Sequence, residues 1–202
     1  MRRRDMRVQH NGGSAQDSGR ESDDSLLARI GRGERDAWNI VVERHLPSVT
    51  RYATYVLRDM GQAEDVAQET FLRLIRKAQD WRGGGATLRT WLFRVALNLC
   101  IDRKRARRTE PLDAADDVPD PVDDGAIERR LDLQRYVGAA VRDLPERQQA
   151  AIVLVHYEGF SGNEAAEILD VSVEALESLL ARGRRSLRQQ LAAVAPDLLG
   201  GQ

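Results

Sequence analysis

Along most of the chain, apolar residues recur every three or four positions, which is the spacing of an amphipathic helix. The pattern predicts a first helix from Ser25, punctuated by Gly31 and Gly33, and a second in which Pro47 produces a bend or a restart. Gly61 is expected to end that second helix. Two more helices follow over residues 62–77 and 87–108, and no segment reads as a strand. The buried side of the third helix is expected to hold Val66, Ala67, Phe71, Leu74 and Ile75.

The last third of the chain carries a series of helix start and stop signals. An amphipathic segment over residues 127–141 precedes Pro145, which starts a helix that stops near Gly159. Ser161 and Glu164 have the spacing of a capping box, and Ser172 is suited to cap a longer helix from residue 173. A short helix, a tight turn and a longer helix with a basic end form a helix-turn-helix unit. Such units commonly bind DNA, although any two packed helices can produce the same pattern.

Composition divides the chain into two helical domains. Residues 1–23 are polar and are expected to form a disordered extension. Residues 24–108 form the first domain and residues 128–195 the second, and the segment over residues 109–127 reads as a flexible linker. That segment is rich in Asp and Pro and contains neither Lys nor Arg, so its charges repel one another. The expected fold class is therefore all-α, with two small domains joined by an acidic linker and a helix-turn-helix in the second.

The net charge of the chain is positive when the acidic linker is left out of the count. The 202 residues include 31 Lys and Arg against 32 Asp and Glu, a net charge of −1 that would seem to argue against a nucleic-acid ligand. Residues 109–128 hold eight of the acidic groups, however, and without them the remainder carries 31 basic and 24 acidic residues, a net of +7. The helical parts are thus basic enough to meet phosphates.

Several classes of protein are disfavoured by what the sequence contains. One cysteine, Cys100, excludes an internal disulfide framework and a multi-cysteine zinc site, and its place in an apolar stripe favours a buried, inert thiol over a redox sensor. No apolar run approaches the length of a membrane helix, and the basic start lacks the apolar stretch of a secretory signal. Gly83–Gly85 lacks the Lys of a phosphate-binding loop, and no paired carboxylates or activated nucleophile stand out. We therefore expect a cytoplasmic protein without catalytic residues, metal, cofactor, small-molecule substrate or membrane insertion.

A cluster of basic residues lies at the end of the helix over residues 87–108. Five basic residues fall between Arg103 and Arg108, shortly after the aromatic and apolar run Trp91–Phe93. Basic residues beside aromatic ones can follow a phosphate backbone and stack unpaired bases. The alternative is a solvated helix end next to partly buried aromatic residues.

Three stretches, in this order, resemble the minimal, extracytoplasmic-function (ECF) class of bacterial RNA polymerase sigma factors. The run Ala63–Arg73 (AEDVAQETFLR) is similar to region 2.2 of that family, and Arg89–Asp102 (RTWLFRVALNLCID) with its basic tail is similar to regions 2.3 and 2.4. The stretch from Leu144 to Leu187, which begins LPERQ, resembles region 4. Together the matches cover residues 25–108 and 128–192.

The resemblance implies a role for each stretch. Region 2.2 would dock on the clamp helices of the polymerase β′ subunit, and the residues implied for that contact are Asp65, Gln68, Glu69, Phe71 and Leu72. Of these, Phe71 also suits a core position, which leaves Gln68 and Glu69 as the stronger contact candidates.

The second stretch would bind and melt the promoter −10 element. Its implied DNA contacts are Trp91, Arg94, Asn98, Arg103, Lys104, Arg105, Arg107 and Arg108. Asn98 matches the position beside a pocket for a flipped base, where an amide can both donate and accept hydrogen bonds. A hydrogen bond from Asn98 to a loop is the structural alternative.

Region 4 would read the −35 element in the major groove. The implied contacts are Ser172, Glu174, Ala175, Glu177, Ser178, Arg182, Arg184 and Arg185. Here the chain departs from the family, because Glu177 and Leu179 stand at two positions that are commonly basic. A glutamate there can accept a hydrogen bond from a cytosine amine, or it can lie off the DNA.

The family also implies partners and a context. These are core RNA polymerase through its β′ clamp helices and β subunit, promoter DNA, and an anti-sigma factor that holds the protein inactive until a stress or envelope signal arrives. A helix-turn-helix regulator that acts without polymerase is the competing interpretation, and it would leave the first 108 residues unexplained.

Overall fold

The computed structural model describes residues 21–81, 85–109 and 136–199, without the side chains of residues 108–109 and 193–199. Four helices form the first domain: α1 (Asp23–Gly31), α2 (Arg35–Leu57), α3 (Met60–Ala78) and α4 (Leu88–Thr109). The second domain contains α5 (136–142), α6 (Glu146–Ile152), α7 (Gly162–Leu169) and α8 (Val173–Leu199). A π-helical turn, Val153–Tyr157, continues α6. The described residues contain no strand, and the predicted all-helical fold is confirmed.

Helix α2 continues through Pro47, so the chain does not restart a helix there. Pro47 is exposed, while Val41, His45, Val49 and Tyr52 on either side of it are buried. Burial of the same helix face before and after the proline outweighs the backbone hydrogen bond that proline cannot make.

The end of α2 also differs from the expectation that Gly61 would stop it. The helix ends at Leu57. The next residue, Arg58, adopts a left-handed conformation with φ 58° and donates its backbone N–H to the Thr54 carbonyl at 2.9 Å. Asp59 then caps α3, since its Oδ1 accepts from the backbone N–H of Gln62 at 2.9 Å. Gly61 therefore lies in the first turn of α3, because the side-chain cap two residues earlier, Asp59, sets the start of the helix.

Helix α1 is fixed to α2 by a charged cluster around Asp23. The Asp23 carboxylate accepts from Arg44 at 2.5 Å and lies 3.0 Å from Nε2 of the buried His45. Burial alone would raise the pKa of Asp23, but the hydrogen bonds and charges of His45 and Arg44 lower it on balance. His45 is thus a buried residue of the first domain with a carboxylate partner.

The hydrophobic core is continuous through both domains. Tyr52 and Phe93 are fully buried in the first domain, with ring centroids 5.1 Å apart. Leu154, Ile168 and Leu176 fill the second domain. Ile75, expected on the buried side of α3, is 43% exposed instead, while Val66, Ala67, Phe71 and Leu74 are buried as expected.

Helix α8 packs closely on α6 at Gly183. A Cβ at this position would lie 3.0 Å from Cγ1 of Ile152, which is itself 2% exposed, and 3.6 Å from Cβ of Gln148. The lack of a side chain therefore sets how near the two helices come.

We expect Gly183→Ala to lower the free energy of unfolding by about 1 kcal/mol, because the overpacking exceeds the gain in helix propensity. The matched control is Gly61→Ala, also in a helix but with only ordinary contacts, where the nearest atom to the new Cβ is 3.6 Å away. That control should instead raise the free energy by about 0.5–1 kcal/mol. Urea unfolding of both variants provides the measurement. Equal stabilisation by the two alanines would show that the α6–α8 contact is not tight.

Candidate functional site

Helix α4 presents one continuous exposed strip to solvent. Trp91, Arg94, Asn98 and Arg105 are separated by three, four and seven residues, so they share a helix face. Arg94, Asn98 and Arg105 are exposed, and the half-buried Trp91 packs edge-on against Trp81 with ring centroids 6.1 Å apart. Ile101, on the same face, is 42% exposed. The strip therefore combines an aromatic ring, an amide and two guanidinium groups.

Two other basic residues of α4 turn toward neighbouring helices instead of this strip. Arg103 donates to Asp65 on α3 at 3.1 Å and to the Gln62 carbonyl at 3.2 Å, and Lys104 lies 3.4 Å from a carboxylate oxygen of Glu146 on α6. Arg107 is exposed, and the side chain of Arg108 lies outside the described residues. The structure thus brings together four of the eight implied −10 residues and places Arg103 and Lys104 in ion pairs.

The helix-turn-helix has the capping that the sequence predicts. The Ser161 hydroxyl accepts from the backbone N–H of Glu164, and the Glu164 carboxylate accepts from the backbone N–H of Ser161 at 2.9 Å. Asp170 closes α7 in a left-handed conformation with φ 52°, and Ser172 Oγ accepts from the Ala175 N–H at 3.2 Å at the start of α8. These contacts fix the angle at which α8 leaves the turn.

The outer face of α8 is exposed, whereas Leu176, Leu179 and Leu180 are buried against the domain as predicted. The exposed set is Ser172, Glu174, Ala175, Glu177, Ser178, Arg182, Arg184 and Arg185. Hydrogen bonds from its own backbone N–H and from Ser172 lower the pKa of Glu174. The helix thus presents glutamates near its start and arginines two turns later.

An open groove of about 500 Å³ lies between α2 and α3. It is lined by Trp38, Val42 and Leu46 from α2 and by Gln68, Phe71 and Leu72 from α3, among others. Leu72 is 42% exposed, and Phe71 is 4% exposed and packs edge-on against Trp38 at 5.9 Å. The groove therefore has an apolar floor with an exposed leucine and amide on its rim.

Three of the five implied polymerase contacts line this groove, and the other two form ion pairs outside it. Gln68, Phe71 and Leu72 line it, whereas Asp65 is paired with Arg103 and Glu69 with Arg73 at 2.9 Å. The sequence did not single out the α2 side, where Trp38 and Val42 recur at the ordinary spacing of an apolar helix stripe. Helical spacing gives no signal that separates the wall of an open groove from a closed core.

Cys100 lies on α4 and is fully buried. Burial raises the pKa of its thiol to about 12, against a smaller opposing effect of Lys104 and Arg103. The expectation of a buried thiol is therefore confirmed.

Among the described residues, no group of His, Cys, Asp and Glu side chains is arranged to hold a metal ion, and no helix has the length and apolar character to cross a membrane.

Comparison with known proteins gives the family of the chain. Residues 41–110 match the family model of sigma-70 region 2, and residues 134–187 match that of sigma-70 region 4. Among curated proteins, the ECF RNA polymerase sigma factor SigM of Mycobacterium tuberculosis is 33% identical over 84% of this chain and 85% of its own length. SigE of Mycolicibacterium smegmatis, also an ECF sigma factor, is 35% identical over 77% of this chain but only 62% of its own length.

Solved structures give the same result. The chain is similar to CnrH, solved in complex with the cytosolic domain of CnrY, with a TM-score of 0.65 and 29% identity over 86% of this chain and 99% of that one. It is also similar to the sigma factor RpoE of Bartonella quintana, solved with the anti-sigma factor NepR, with a TM-score of 0.65 and 25% identity over 77% of this chain and 96% of that one.

The two regions, the helical fold and these relatives define a sigma subunit of RNA polymerase, a transcription initiation factor. Within that class, the chain belongs to the ECF sigma factor family.

Because the thiolate is the reactive form, a pKa near 12 makes Cys100 a poor target for alkylation. We expect iodoacetamide at pH 8 to modify Cys100 at least about 100-fold more slowly in the folded chain than in urea. Since the chain has a single cysteine, mass spectrometry reads the rate directly. Equal rates in the two states would contradict the burial of this thiol and reopen a redox role.

Proposed function

We propose that the exposed strip of α4 binds the non-template strand of the −10 element. The observation that carries this proposal is the alignment of Trp91, Arg94, Asn98 and Arg105 on one solvent-facing side of a single helix. Trp91 offers a face for base stacking, Arg94 and Arg105 meet phosphates, and the Asn98 amide faces a flipped base edge. Arg107 and Arg108 would add positive charge near the strand, whereas Arg103 and Lys104 would contribute only after leaving their ion pairs with Asp65 and Glu146.

The outer face of α8 is proposed to enter the major groove at the −35 element. Its first turns, with Ser172, Glu174, Ala175, Glu177 and Ser178, would face base edges, because recognition helices read DNA with their N-terminal residues. The arginines at 182, 184 and 185 would bind phosphates. Glutamates in the reading turns favour a cytosine, whose N4 amine donates a hydrogen bond.

The groove between α2 and α3 is proposed as the docking site for the polymerase β′ clamp helices. An apolar floor with polar groups on the rim has the composition of a protein interface. Leu72 and Gln68 would contact the partner directly, Phe71 would support the floor, and Asp65 and Glu69 would border the contact.

The remaining assignments complete this proposal. Residues 24–108 act as region 2 and 128–195 as region 4, with the acidic segment 109–127 spanning the polymerase between them. The protein works in the cytoplasm without chemistry of its own, in a stress or envelope response. An anti-sigma factor controls it, by analogy with RpoE of Bartonella quintana, which was solved in complex with the anti-sigma factor NepR.

Promoter-specific transcription with purified core polymerase tests the proposal as a whole. We expect the full chain to direct transcripts from its own promoter, and Asn98→Ala to slow open-complex formation at least about tenfold, since the base pocket loses its amide. Asn39→Ala, an exposed asparagine on α2, is the matched control and should behave like the wild type. Absence of any specific transcript would favour a regulator that acts without polymerase. Normal open complexes with Asn98→Ala would contradict the strip assignment alone.

Core binding tests the groove separately. We expect Leu72→Lys to weaken binding to core polymerase at least about tenfold, because it puts a charge into an apolar contact. Met60→Lys introduces the same charge on the same helix, at an exposed residue outside the groove lining, and should bind normally. Titration of labelled sigma with core enzyme gives both affinities. Equal effects of the two variants would show that the groove is not the docking site.

A further inference from the structure

One apolar side chain lies exposed within the α4 strip. Ile101 is 42% exposed, whereas its neighbours on the same helix face are polar, Asn98 three residues before it and Arg105 four residues after it. A single exposed isoleucine is ordinary on a protein surface, and Ile40 and Ile75 are exposed in this chain as well. What distinguishes Ile101 from those two residues is therefore its position and not its exposure.

Helix geometry fixes the position of Ile101 in the strip. At about 100° per residue, Arg94, Asn98, Ile101 and Arg105 fall within a sector of roughly 60° around the helix axis. At ~1.5 Å per residue, Ile101 lies about 4.5 Å beyond Asn98 and about 6 Å before Arg105 along that axis. Cys100, the residue directly before Ile101, is fully buried, so a rotation of the helix that covered Ile101 would expose the core.

The separation of Asn98 and Ile101 corresponds to one nucleotide step. Phosphates along one strand of a stacked duplex follow one another every ~3.4 Å, and this step lengthens when a melted strand leaves the stack. A distance of about 4.5 Å along the helix axis lies in this range. If the Asn98 amide faces a flipped base, the base beside it in the strand therefore lies over Ile101.

The charges around Ile101 favour a nucleic acid over an apolar protein segment as its occupant. Arg105 and Arg107 are exposed further along the helix, while the exposed Asp102 lies about 100° around the axis from Ile101. An apolar segment over Ile101 would take the nearby guanidinium group from water without pairing it, whereas a DNA strand brings phosphates to it. Contact with a base thus covers the isoleucine and pairs its basic neighbour at the same time.

Among the four bases of DNA, thymine suits an isoleucine best. Its C5 methyl group is the one methyl group that a base edge presents, and apolar side chains recognise it. The donors and acceptors on the other base edges would lose their hydrogen bonds to water under an apolar side chain. The contact is therefore selective for thymine as well as attractive.

We propose that Ile101 is a specificity-determining residue of the −10 strip, and that it selects a thymine beside the base that faces Asn98 by contact with the thymine methyl group. This inference rests on the proposed function, which places the non-template strand on the strip. It adds to that function one base preference and the atoms that produce it. Because the contact is apolar, it responds little to salt, unlike the phosphate contacts of the arginines.

Removal of the methyl group from the DNA tests the contact directly. The probe is a forked fragment of a promoter that the full chain transcribes with core polymerase, with a single-stranded non-template −10 element in which each thymine is replaced in turn by deoxyuridine. We expect one replacement to weaken holoenzyme binding about three- to fourfold, the loss for one buried methyl group. That thymine should lie beside the position whose base preference disappears in Asn98→Ala. Fluorescence anisotropy gives the affinities.

Variants of Ile101 test the protein side of the same contact. In Ile101→Ala the thymine and deoxyuridine probes should bind equally, because the methyl group has lost its partner, and the thymine probe should bind at least about threefold more weakly than it binds the wild type. Ile101→Val keeps a branched apolar side chain and should keep most of the difference between the probes. Both variants should fold, since the position is exposed and alanine favours a helix.

Ile40→Ala is the matched control, because it removes the same side chain from an exposed position of α2 outside the strip and outside the groove lining. It should keep the wild-type ratio of the two affinities. A ratio that Ile101→Ala leaves unchanged, or a −10 strand without a thymine beside the Asn98-dependent position, would overturn the inference. So would equal weakening of both probes by Ile101→Ala with no difference between them in the wild type, which is the behaviour of a wedge between bases.

The outcomes separate the role of Ile101 from the proposed function. Absence of any promoter-specific transcript from the wild type would contradict the proposed function and the thymine contact with it. A wild type that transcribes normally but binds the thymine and deoxyuridine probes equally would contradict the role of Ile101 alone.

Discussion

Helix α4 has to satisfy three environments at once, and the rest of the molecule is arranged around that constraint. Leu88, Leu92 and Leu99 face the core of the first domain. Arg89 and Phe93 meet Phe160 of the second domain, and Asn98 faces solvent. With 3.6 residues per turn, a single helix can hold three such faces only if each is about one residue wide per turn. This explains why a helix that ends in five basic residues within six positions is also one of the most deeply buried in the molecule.

The three faces also explain the fate of the charges on α4. A basic residue on the solvent face, such as Arg105, stays exposed, whereas Arg103 turns toward α3 and Lys104 toward α6, where carboxylates meet them. Position on the helix, and not residue type, decides which cations remain available for a phosphate backbone. A basic cluster counted along the sequence therefore overstates the charge that a ligand can reach.

Much of the fold follows from local rules, and the sequence predicts it well. The capping box at Ser161, the Ser172 cap and the end of α1 at Gly31 depend on residues within four positions of one another. Where a distant contact competes, local rules fail. Pro47 does not interrupt α2, because its neighbours are buried on both sides, and Ile75 stays exposed although its spacing fits the core stripe.

The same reasoning applies to the candidate sites. The α4 strip and the α8 face were predictable because helical spacing alone brings their residues together. The groove needs α2 and α3 in register, and the contact of Glu158 with Arg51 joins residues 107 positions apart, so periodicity contains neither. The π-helical turn was also beyond prediction, because Val153–Tyr157 reads as ordinary helix.

That turn illustrates how a local irregularity can serve a long-range contact. The Glu158 N–H reaches back five residues to the Val153 carbonyl at 2.9 Å, and Phe160 reaches six residues back to Leu154 at 3.0 Å. These wider turns end the helix while keeping residues 158–160 against α4, so the carboxylate and the aromatic ring arrive at the domain boundary together. An apolar residue in place of Glu158 could pack there without any desolvation cost, and buried ion pairs are often no more stabilising than such packing. The carboxylate adds orientational specificity. A bidentate contact with a guanidinium forms in only one relative orientation of the two domains, whereas an apolar patch can pack in several.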